Sequence, residues 1–86
     1  MLFLIAWRPN PAKVEEVSKQ ERSGKFSVPQ GLERIEEYIT PDGSSVEIVK
    51  ADSAAIVSKY VAQFLPFTLG VDVSPAVTVH EYNALF

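Results

Sequence analysis

Arg34, Glu36 and Tyr38 on one segment and Glu47 on the next are the side chains best suited to chemistry. If the two segments pair as strands through a two-residue Asp42-Gly43 loop, these four share one sheet face. Ile35, Ile39, Val46 and Ile48 then lie on the other. An arginine in that setting offers a fork of donors to a carboxylate or phosphate, and Tyr38 would position a hydroxyl or carbonyl. The alternative is an edge strand with solvated charges or ion pairs between subunits, which contribute little to stability. Trp7 and Arg8 end the first apolar run; tryptophan there walls a pocket or anchors a core or interface. His80 is the only histidine and is expected to face solvent beside the inner stripe of a short last helix, a poor place for catalysis or a metal. Lys13, Glu15, Glu16, Lys19 and Arg22 read as a solvated helix face.

Other chemistries are excluded by what is missing. The chain has no cysteine, which removes disulfides, thiolate nucleophiles, zinc fingers and iron–sulfur clusters. It has no phosphate-cradling glycine loop, zinc motif or EF-hand loop, and no serine is placed beside His80 for a triad. No cofactor and no metal is expected. The formal charge of −3 argues against nucleic acid, and Ser45–Val49 lacks the aromatics of an RNA-binding sheet. Met1–Trp7 is too short to span a bilayer and lacks the flanks of a signal peptide, so a cytoplasmic chain with no membrane partner is expected.

The elements that must position these residues form one domain over 1–86. Met1–Trp7 is continuously apolar, as in a strand covered on both faces. Asn10-Pro11 starts a helix that runs to about Arg22, with Gly24 as its stop and only Ala12, Val14 and Val17 on its apolar stripe. Leu32–Thr40 and Ser44–Ala51 are the hairpin strands, a register that keeps Glu37 from lying opposite Glu47. Asp52 or Ser53 caps a second helix carrying Ile56, Val57, Tyr60, Val61 and Phe64 at helical spacing, ended by Pro66. Thr68–Val77 is a fourth strand. Thr78 and Glu81 form a capping box for a short helix whose inner face is Val79, Tyr82 and Phe86.

The order βαββαβ with right-handed crossovers predicts an α+β, ferredoxin-like fold with a four-stranded antiparallel sheet ordered 4-1-3-2. Both helices then cross one face of the sheet. Strand one nevertheless sends Leu2 and Leu4 to one side and Phe3, Ile5 and Trp7 to the other. The second side needs a cover, either a two-fold copy of the chain or the C-terminal helix folded back. The copy is the simpler cover, with Phe3, Ile5 and Trp7 as its expected interface residues.

Met1–Trp7, Ile48–Asp52, Phe64–Phe67 and Val71–Val77 resemble a family of short prokaryotic proteins of unknown function, the domain of unknown function 3303 family, assigned to the dimeric α+β barrel superfamily. Many relatives have tryptophans in and after the second helix and a Trp-His pair ending strand two. This chain has Tyr60, Phe64 and Tyr38-Ile39 in those regions. The resemblance implies a homodimer whose barrel cavity holds a small molecule; Arg34, Glu36, Tyr38 and Glu47, which the register puts on one face, and Trp7 at the end of strand one are the candidate ligand contacts. Two functions follow: a non-enzymatic homodimeric module that binds a small molecule or partner, or a cofactor-independent oxygenase or isomerase tested at Trp7, Arg34 and Tyr38. The second rests on analogy of fold.

Overall fold

Local signals place the elements. The Asn10 side chain accepts from the Ala12 backbone N–H at 3.0 Å and, with Pro11, opens a 3-10 turn that leads into a helix. Ser53 caps the second helix through the Ile56 N–H, and Thr78 and Glu81 close a reciprocal capping box on the third. The computed structural model describes residues 1–86. In chain order it contains β1 (Leu2–Pro9), α1 (Val14–Arg22), β2 (Leu32–Ile39), β3 (Ser45–Ala51), α2 (Ala54–Ala62), β4 (Thr68–Ala76) and α3 (Val79–Asn83). The four strands form one antiparallel sheet ordered β2-β3-β1-β4, the 4-1-3-2 arrangement of a ferredoxin-like α+β fold. No helix is long and apolar enough to cross a membrane.

The core is the sheet face beneath α2. Phe3, Ile5 and Trp7 of β1 meet Leu32 of β2, Val49 and Ala51 of β3, and Val57, Tyr60 and Val61 of α2, all buried. Each fully buried side chain of this size stabilises the fold by about 1.5–3 kcal/mol. The expectation that Phe3, Ile5 and Trp7 face another copy is therefore corrected. The α2 stripe needs an apolar bed, and the bulkier side of β1 supplies it within the chain. Leu2, Leu4 and Ala6 take the open side instead, and Leu4 is exposed there.

The hairpin also departs from expectation. Ile39 pairs with Ser45, Tyr38 with Val46 and Glu37 with Glu47, which leaves a turn over Thr40–Ser44 instead of a two-residue loop. Thr40 N–H donates to the Ser44 carbonyl at 2.8 Å and Gly43 N–H to the Thr40 carbonyl at 2.9 Å. Gly43 has φ +84°, which glycine adopts without a Cβ penalty. The Asp42 carboxylate accepts from the Ser44 N–H and the Thr40 hydroxyl, holding the turn closed. Between Arg34 and Glu36 the register shifts at a bulge around Ile35. The bulge reverses the alternation, so Arg34 and Glu37 point to the same face. α3 departs too: Val79 and Phe86, expected inside, are 77% and 92% exposed, because the helix lies past the end of β4 with no core to meet.

Candidate functional site

The helix layer is uneven, and the site lies where it is thin. α1 buries none of its residues. Its Val17 and Glu21, one turn apart on a single helix face, line a cleft of about 530 Å³ between α1, the 26–28 segment, α2 and the sheet. That volume is in the range of small-molecule pockets.

Its polar end is built around Glu47. In register with Ile5 on one side and Glu37 on the other, Glu47 is carried to the helix side of the sheet, where it is only 2% exposed. Burying a carboxylate requires compensation. Arg34 Nε donates to Glu47 Oε1 at 2.9 Å and the Tyr60 hydroxyl donates to the same oxygen at 2.8 Å. Glu47 Oε2 accepts no hydrogen bond from the chain, and since no buried polar atom is left unpartnered, that oxygen reaches the open space of the cleft. Arg34 Nη2 also lies 3.5 Å from Glu37 Oε1.

The electrostatics follow from that crowding. Burial, with the Glu47 carboxylate as acceptor, pushes the Tyr60 phenol well above its usual range, so it stays protonated and donating. Burial opposes the Arg34 charge, but Tyr60, Glu47 and Glu37 outweigh it and hold the guanidinium more firmly protonated. Glu37 is pushed up, first by burial and then by repulsion from Glu47, with Arg34 partly offsetting both.

The other end is aromatic. Trp7 meets Phe64 edge-on at 5.2 Å between ring centroids, and Phe26 packs against Phe64 at 4.4 Å and Phe67 at 5.9 Å. Trp7 and Tyr60, at 6.4 Å, join the two ends. Phe26 lies tilted on Phe64, and the other three pairs meet edge to face, so the rings hold one another in the wall.

Of the residues expected to meet a ligand, Trp7, Arg34 and Glu47 come together in the cleft. Glu36 and Tyr38 do not. Paired with Ile48 and Val46, they lie across the sheet on its open face, carried there by the bulge and the longer turn. Glu37 and Tyr60, missed from sequence, take their place. One signal pointed to Tyr60: a phenol in the stripe Val57–Tyr60–Val61 must find a buried acceptor. Glu47, alone among Val46, Ile48 and Val49, was the acceptor available.

Arg8 makes no part of this site. On the open face its Nη1 pairs with Asp72 at 2.7 Å, and its guanidinium lies over Gly70, where any Cβ would collide with it. His80 is exposed on α3, and no three His, Asp or Glu side chains stand where they could hold a metal ion.

The family model of a domain of unknown function, DUF3303, matches residues 1–86. The chain belongs to that family. No curated protein and no solved structure matches it.

Proposed function

We propose that the chain is a cytoplasmic homodimeric module that binds a small organic molecule in the cleft without turning it over. The cleft carries this reading: one end is a buried carboxylate held by Arg34 and Tyr60, the other a wall of packed aromatic rings. A few fixed polar groups beside apolar walls are the usual construction of a small-molecule site. Binding is favoured over turnover because the two proton-bearing groups beside Glu47, Arg34 and Tyr60, are both bonded to it and both hold their protons more firmly than usual. The oxygenase or isomerase reading relies on Trp7, Arg34 and Tyr38 acting together, and Tyr38 is on the far side of the sheet.

A different observation supports the dimer. Leu4 and Tyr38 are exposed on the open sheet face, and the apolar residues of α3 are exposed beyond it. α3 does not fold back over that face. A two-fold pair would let each copy's sheet face and terminal helix cover the other's in one closed interface.

Native mass spectrometry of freshly purified protein, paired with a fragment screen read by Trp7 fluorescence, tests both parts. Trp7 is the only tryptophan and lines the cleft, so its emission reports occupancy. A dimer with added mass, or saturable fragment-induced changes in emission, supports the proposal. A monomer at micromolar concentration would overturn the pairing, and silence of Trp7 across the screen would overturn the binding site.

A further inference from the structure

The charges around the cleft identify the class of molecule it suits. Its charged lining residues are Glu21, Arg34, Glu37 and Glu47: three carboxylates against one guanidinium, a net of −2. The guanidinium is already committed, since its Nε is bound to Glu47 and its Nη2 lies beside Glu37. No lysine or histidine lines the cleft to receive an anion. The charge of Arg34 is therefore already offset by the protein's own carboxylates before any carboxylate or phosphate arrives.

The unbalanced groups are negative. Glu47 Oε2 has no donor from the chain, Glu37 lies directly across the strand pair from Glu47, and Glu21 overlooks both from α1. The wall beside them is made of Trp7, Phe26, Phe64 and Phe67. Aromatic faces carry negative potential and attract cations within about 6 Å, most strongly where water is excluded. Carboxylates and ring faces thus favour the same sign of charge. A bare metal ion does not fit, because the carboxylates are not gathered as a ligand set and the wall offers it no oxygen donors. An organic ammonium fits both halves, with its charge at Glu47 Oε2 and Glu37 and its hydrocarbon body against the rings.

We infer that the cleft selects an organic cation, an amine on an apolar or aromatic body, over neutral or anionic molecules of the same shape. The inference rests on the cleft being a binding site. The crowding that makes Glu37 harder to ionise is consistent with it, since a bound cation would relieve that repulsion.

The test uses the whole chain and three probes of matched size: 2-phenylethylamine, 2-phenylethanol and phenylacetate. Binding at neutral pH is followed by Trp7 fluorescence and by chemical-shift changes at the lining residues. The amine should bind roughly tenfold or more tightly than the alcohol, the equivalent of about 1.4 kcal/mol, and phenylacetate should bind weakest. Glu37→Gln and Glu21→Gln should each shrink the amine-to-alcohol ratio while sparing the alcohol, a pattern that general loss of folding cannot produce. If the alcohol or phenylacetate binds as tightly as the amine, the charge selection is wrong and the cleft remains a binding site. If none of the three perturbs Trp7 or the lining residues, both the selection and the binding site are overturned.

Discussion

Two helices of nine residues each belong to the same layer and do opposite work. α2, Ala-Ala-Ile-Val-Ser-Lys-Tyr-Val-Ala, buries Val57, Tyr60 and Val61 and completes the core. α1, Val-Glu-Glu-Val-Ser-Lys-Gln-Glu-Arg, buries nothing and leaves space beneath it. The difference is in the width of the apolar stripe. A helix seats itself on a sheet only as deeply as its stripe pulls it, and two valines pull weakly. A domain of 86 residues thus finds room for a cleft by seating one helix for stability and leaving the other standing off.

A matched pair of truncations should separate the two helices most widely. Val57→Ala removes two methyl groups from a residue that is almost wholly buried, and should cost about 2 kcal/mol in urea-induced unfolding. Val17→Ala on α1 makes the same change beside open space and should cost no more than about 0.5 kcal/mol. Equal losses from the two variants would mean that α1 is as firmly seated as α2, and the account of the cleft would fail.

Tyr60 is where the α2 side of the core touches the cleft. Tyr60→Phe removes a donor from the buried Glu47 carboxylate and should cost about 1–2 kcal/mol near neutral pH. The pH dependence has a definite sign. An unfolded chain releases the phenol proton near the ordinary value of 10.0, whereas the folded chain holds it to higher pH. The stability contributed by that proton is fully present below about pH 10 and is lost as pH rises through the folded value. Wild type and Tyr60→Phe should therefore converge in stability as pH is raised above 10. Parallel curves through that range would remove the Tyr60–Glu47 bond from the account.

How much of this was legible in the sequence depends on the range of the signal. The caps at Asn10, Ser53 and Thr78 are local and read directly, and β1 is central because it is apolar throughout. Those signals were enough for the α+β ferredoxin-like order. The hairpin failed because its register is set by turn length and by a bulge, which composition does not encode. Asp42-Gly43 fits a two-residue loop, yet the Asp42 side chain closes a longer turn around Gly43. Repulsion between Glu37 and Glu47 also seemed to forbid the register that is found. Arg34 lies against both, and the objection disappears once its position is known. One shifted residue then exchanged Glu37 for Glu36 and Tyr38 at the cleft, which is why two of the five expected contacts were misplaced.

The smallest expected effect belongs to Glu37, and it probes the α1 side of the contrast. Burial and repulsion from Glu47 raise its pKa, so the folded chain binds its proton more readily than the unfolded chain does. Whatever stability that proton confers is fully present below the ordinary carboxylate range and is lost as pH rises through the raised value. At neutral pH the charge on Glu37 works slightly against the fold, and its weak pairing with Arg34 at 3.5 Å only partly offsets this. Glu37→Gln should therefore leave stability at pH 7 unchanged or raise it by no more than about 0.5 kcal/mol, the small scale expected of a half-exposed group screened by water. Any gain should shrink as the pH is lowered and wild-type Glu37 takes up its proton. A loss of about 1 kcal/mol at pH 7 would reverse the account. Glu37 would then be a structural partner of Arg34, and the negative charge under α1 would belong to the fold instead of standing ready for a ligand.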